Sequence, residues 1–94
     1  MTEHPQQDLQ RELTLRAIRE ANLAFGDVWL RYFECTGAAD ETELEAHLFG
    51  LLRLTPLESD ILAHAVNELV KELPHDDLLP RAPYCHDLGR PHDE

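Results

Sequence analysis

Ninety-four residues with 43% hydrophobic content suffice for one domain with one core and not for two. Nineteen acidic against eight basic residues give a formal net charge of −11, which repels phosphate backbones and argues against nucleic acid as a partner. No run approaches the roughly 18 apolar residues of a membrane span, no basic start precedes an apolar stretch, and two cysteines are too few for a disulfide-stapled secreted scaffold. These features lead to the expectation of a soluble, cytoplasmic protein with reduced thiols and no membrane partner.

The charge is uneven: residues 1–37 carry six acids and four bases, residues 38–73 eight and two, and residues 74–94 five and two. Pro5 suits a first helical turn, and no further proline occurs before Cys35. Leu9, Leu13, Ala17, Ala21, Ala24 and Val28 recur at three- and four-residue spacing, which predicts one long N-terminal helix ended by Gly37. From Pro5 to Cys35 it would measure roughly 46 Å, against a radius of gyration of about 12 Å for a compact chain of this size. Such a helix projects or breaks. Gly26-Asp27 is the expected breakpoint, since glycine weakens a helix interior and aspartate can cap a new start. Beyond it, Val28, Trp29, Leu30, Tyr32, Phe33 and Cys35 cover most of the circumference and must be buried on more than one side.

Asp40 and Glu43 have capping-box spacing, and Leu44, Leu48, Leu51 and Leu52 form one narrow stripe, predicting a second helix over about 41–52. Thr55-Pro56-Leu57-Glu58 combines three start signals for a third helix, which Pro74 stops. Its broad apolar face holds Leu57, Ile61, Leu62, Ala65, Val66, Leu69, Val70 and Leu73, with Asp60, His64, Asn67, Glu68 and Lys71 opposite. Pro80, Pro83, Gly89 and Pro91 make the remainder an extended tail that Leu78, Leu79 and Tyr84 can pin to the body. The expected architecture is all-α, a three-helix array with one long N-terminal helix, comprising a helical domain over 1–73 and a Pro-rich extended C-terminal tail over 74–94.

The stretches Trp29-Leu30-Arg31-Tyr32-Phe33, Glu43-Leu44-Glu45-Ala46-His47-Leu48 and Asp60-Ile61-Leu62-Ala63-His64-Ala65-Val66-Asn67-Glu68, with Gly37, resemble a group of small uncharacterised helical proteins of high-GC actinobacteria. That resemblance implies a short helical fold and no assigned activity. Locally, Leu54 to Leu62 is similar to the opening of the helix-turn-helix domain of response regulators. In that family a basic recognition helix follows, whereas here Pro74 intervenes and Glu58, Asp60, Glu68 and Glu72 face Lys71 alone.

Six histidines invite a metal reading, but no pair has close zinc-ligand spacing on one helix face. Asp60 and Glu43 stand four residues before His64 and His47, which reads as surface pairing. His4, His75 and His92 read as solvated. Cys85-His86-Asp87 is the most reactive-looking triplet, since imidazolium lowers a thiol pKa, but neighbours in a tail are not preorganised. Cys35 reads as an inert small hydrophobe. Trp29, Tyr32 and Phe33 read as core packing in preference to a binding surface.

No catalytic, cofactor or metal residues are assigned. The residues favour a non-enzymatic protein-interaction or regulatory module with an unknown protein partner. Two alternatives stay open: a helix-turn-helix-like nucleic-acid-associated regulator, and a metal-binding or thiol-reactive protein using the Cys85-His86 tail. The first helix carries more apolar surface than two short helices can cover, so a homodimer is expected through Leu13, Ala17, Trp29, Tyr32 and Phe33.

Overall fold

A computed structural model describes residues 5–89. It is all-helical, with no strand among the described residues. The helices are α1 (Pro5–Glu20), α2 (Phe25–Glu34), α3 (Glu41–Leu48), α4 (Pro56–Lys71) and the short α5 (Cys85–Gly89), with a 3₁₀ turn at Asp76–Leu78.

The expected long N-terminal helix is two helices, and the break lies at Asn22 rather than at Gly26-Asp27. Asn22 adopts the left-handed conformation, with φ of 55°. Its N–H donates to Arg19 O and the Leu23 N–H reaches back to Ile18 O, both at 3.0 Å. That pair of bonds is a Schellman termination, whose left-handed position asparagine tolerates better than most residues with a Cβ, second to glycine. Gly26 lies inside the first turn of α2, after an N-cap residue, Ala24, whose side chain makes no cap bond. Unbroken, the helix would exceed the 38 Å longest dimension of the molecule.

The same termination recurs twice. Thr36, with φ of 74°, ends α2: its N–H donates to Phe33 O at 3.0 Å and the Gly37 N–H to Tyr32 O at 2.9 Å. Gly50, with φ of 82°, ends α3: its N–H donates to His47 O at 3.0 Å and the Leu51 N–H to Ala46 O at 2.8 Å. The expected continuation of this helix to residue 52 therefore fails, and Leu51 and Leu52 leave the leucine stripe for the surface.

Both helix starts read from sequence are present. Asp40 and Glu43 exchange the two bonds of a capping box at 2.7 and 3.0 Å. The Thr55 hydroxyl accepts from the Glu58 N–H at 3.1 Å, with Pro56 opening α4. α4 is the central element, packed against α1, α2 and α5, while α3 lies against α1 and α2. The core gathers Ala17 and Ile18, Val28 and Tyr32, Leu44 and Leu48, then Leu62, Ala65, Val66 and Val70 from α4.

The inward stripe of α1 departs from the expected one. Gln10, Thr14, Ala17 and Ile18 are buried, whereas Leu9 is exposed. Gln10 is tolerated inside because its amide donates to Asp60 Oδ1 at 2.8 Å and to Pro83 O at 3.0 Å. Leu57 likewise leaves the expected apolar face of α4 and is exposed. The C-terminal segment packs on α4 through buried Ala82 and half-buried Leu79 and Tyr84, while Leu78 points to solvent.

Candidate functional site

The polar ridge of α4 is half-exposed and bonds to side chains of neighbouring elements. Residues four apart lie above one another on a helix, so His64, Glu68 and Glu72 form one row. Arg31 and Cys35, also four apart, form the row of α2 that meets it. The Arg31 guanidinium grips Glu72 with two bonds of 2.8 and 3.1 Å, reaches Glu68 Oε1 at 3.3 Å, and lies 3.5 Å from Glu34. The bond to Glu72 raises the Arg31 pKa further, and Arg31 in turn holds the Glu72 carboxyl below its usual range.

Cys35, the C-cap of α2, is half-buried with its Sγ 3.8 Å from Glu68 Oε1. Burial pushes the thiol pKa up, the Glu68 charge adds to this, and Arg31 opposes it. The other oxygen of Glu68 lies 2.9 Å from His64 Nε2, and His64 Nδ1 is 3.1 Å from the Tyr84 hydroxyl. One metal-ligand atom from each of Cys35, His64 and Glu68 falls within 4.8 Å of the others. A groove of about 470 Å³ runs beside them, lined by Lys71, Arg81 and Tyr84 among others.

The rest of the polar face of α4 seats the C-terminal segment. The Asn67 side chain donates to Ala82 O at 2.9 Å and accepts from the Ala82 N–H at 2.7 Å. Asp60 Oδ1 accepts from the Cys85 N–H at 2.7 Å as well as from Gln10. Asp60 is thereby committed elsewhere, and the partner of His64 is Glu68, one turn after it rather than one before.

A second surface is apolar. On α2, the Trp29 and Phe33 rings stack with centroids 5.4 Å apart and planes inclined by 25°. The Trp29 indole donates to Ala39 O at 3.2 Å, fixing the inner ring. Phe33 is 57% exposed and its neighbour Leu30 49%. Of the residues expected at an interface, Phe33 is thus at the surface, Trp29 and Leu13 are half-buried, and Ala17 and Tyr32 are fully buried. For Ala17 and Tyr32 the expectation is corrected: breaking the long helix at Asn22 lets α1 and α2 each turn a face onto α4, which covers these two residues within the chain.

His47 is also buried, and not a surface partner of Glu43. Its Nδ1 lies 3.2 Å from Leu52 O and 3.4 Å from the Leu54 N–H, at the edge of a cavity of about 460 Å³ that includes Arg11 and Arg53. Burial lowers its pKa, and the two arginines add to this against the Leu52 bond.

In the C-terminal segment Cys85 opens α5 and is half-buried. The side chain of His86 and residues His4, Pro91 and His92 lie outside the described residues. After α4, the described chain continues in a 3₁₀ turn and the five-residue α5, with no helix of recognition-helix length. No helix of the described residues is long and apolar enough to cross a membrane. No family model matches the chain, and no curated protein or solved structure matches it either.

Proposed function

We propose that the chain is a small, cytoplasmic protein-interaction or regulatory module that acts by binding rather than by catalysis, with α2 as its contact surface. The observation that supports this reading is the stacked Trp29–Phe33 pair, whose outer ring is left in solvent beside Leu30. Aromatic side chains supply large contact area at low entropic cost, and they concentrate in the desolvated centres of interfaces.

A second copy of this chain is the proposed occupant. Two-fold pairing is the commonest soluble assembly and requires only that one patch be self-complementary. The surface that carries the pairing is Trp29, Leu30 and Phe33 on α2, with the half-buried Leu13 of α1 as a further contact and without Ala17 and Tyr32. Charge limits the alternatives: at −11, long-range attraction to a phosphate backbone is unavailable.

Light scattering coupled to size exclusion should give twice the chain mass at micromolar concentration. Leu30→Glu with Phe33→Glu should return the protein to one chain mass with helicity retained, because both side chains are exposed. A wild-type protein that stays at one chain mass at high concentration rejects the dimer.

A further inference from the structure

We propose that Cys35, His64 and Glu68 form a binding site for one borderline-soft divalent metal ion, of which Zn²⁺ is the representative. The three side chains offer sulfur, imidazole nitrogen and carboxylate oxygen, the donor set that such an ion takes in proteins. They come from two helices fixed by the core: His64 and Glu68 from successive turns of α4, and Cys35 from the end of α2.

The distances are compatible with this assignment. Bond lengths of about 2.0–2.3 Å at tetrahedral angles separate donor atoms by roughly 3.3–3.6 Å. In the metal-free arrangement Sγ lies 3.8 Å from Glu68 Oε1 and His64 Nε2 lies 2.9 Å from Glu68 Oε2. These two distances run to different oxygens of Glu68, and with one donor atom from each side chain within 4.8 Å of the other two, side-chain rotation is the movement that brings the set to those separations.

The surroundings supply what a ligating histidine needs. Its second ring nitrogen is normally held by a hydrogen-bond acceptor that fixes the tautomer, and the Tyr84 oxygen lies 3.1 Å from Nδ1. In the metal-bound form the imidazole stays neutral with its proton on Nδ1 instead of Nε2, and the Nδ1–H donates a hydrogen bond to the Tyr84 oxygen. Cys35 gives up its thiol proton to solvent, so one proton leaves for each ion bound. Arg31 keeps its paired bonds to Glu72 while Glu68 exchanges its contacts with Arg31 and His64 for the ion. Three protein ligands leave a fourth position, open to water at this half-exposed site. The site is distinct from Cys85-His86, since the Cys85 amide is held at Asp60 on the preceding part of α4.

Titrating the reduced full-length chain with Co²⁺ tests the assignment. A thiolate-to-cobalt charge-transfer band should appear, saturate at one equivalent and be abolished by Zn²⁺. Cys35→Ser and His64→Ala should remove the band with helicity unchanged, and Cys85→Ser should keep it. Absence of the band in the wild type, or a band that survives Cys35→Ser and disappears in Cys85→Ser, overturns the proposal. A measurement on the wild type alone guards against misfolded variants: Zn²⁺ should slow alkylation of Cys35 at least about tenfold and leave Cys85 unaffected. Equal alkylation of Cys35 with and without Zn²⁺ also overturns it.

Discussion

The ring of Tyr32 occupies the space into which any side chain on Gly37 would project: a Cβ there would approach the ring carbons to 2.3 Å. The close approach is stabilised by a polar knot, since the Tyr32 hydroxyl bonds to the Glu58 carboxylate and accepts from the Ala39 N–H at 2.9 Å. The same carboxylate accepts from the Ala38 N–H at 3.0 Å. Burial and the Glu58 bond push the phenol pKa up to about 12. Tyr32 is fully buried and held on both sides, so it cannot yield. Gly37→Ala should therefore cost about 1–3 kcal/mol, read as a lower denaturant midpoint at unchanged slope. An unaltered midpoint would mean that the loop slides past the ring freely.

The adjacent residue gives the opposite sign. Thr36 holds the left-handed position of the α2 termination, where a β-branched side chain is strained. Thr36→Gly removes that strain and should stabilise the fold by about 1 kcal/mol. Thermal unfolding that shifts downward instead of upward would show that the threonine hydroxyl outweighs the strain.

His47 sets a pH dependence. Its pKa in the folded protein lies below the model-peptide value of 6.5 because the ring is buried, so between the two values the unfolded chain binds more protons. Its contribution to stability is intact above pH 6.5 and is lost as pH falls through the lowered folded value. His47→Asn can keep a bond to the Leu52 carbonyl without a titrating group, and should flatten the stability profile on the acid side of pH 6.5. Parallel profiles for the two proteins would assign that slope to carboxylates instead.

Asn67 should govern the C-terminal segment. Asn67→Leu leaves the Ala82 N–H and C=O without their side-chain partner, a cost of about 1–3 kcal/mol per buried group. Amide exchange at Ala82 should accelerate in the variant while exchange at Val66 and Val70 follows global stability alone. Equal acceleration at all three would show that the segment and α4 open as one unit.

Legibility from the sequence followed the range of each interaction. The caps at Asp40 and Thr55 involve residues three apart, so their chemistry is written in adjacent letters. The break at Asn22 is also local, but asparagine is a weaker signal than glycine, and Gly26 drew the expected breakpoint four residues too far. Gly37 marked the right helix end for a different reason: the left-handed residue is Thr36, and the glycine is needed against Tyr32. The sequence paired His64 with Asp60, although Glu68 stands equally four residues away, and Cys35 joins His64 and Glu68 only once α2 is laid across α4, which no local pattern specifies. The polar face of α4 looked solvated because the segment that covers it is read through its backbone.

That backbone reading sets how the chain can diverge. Asn67 and Asp60 grip main-chain groups of residues 82 and 85, groups that nearly every amino acid possesses. The buried Ala82 is restricted by size, and the half-buried Leu79 and Tyr84 by their packing against the core. Substitutions along most of residues 74–85 should then accumulate at little cost, while the asparagine and aspartate beneath them tolerate almost none, so the most changeable stretch of the chain rests on two of its least replaceable side chains.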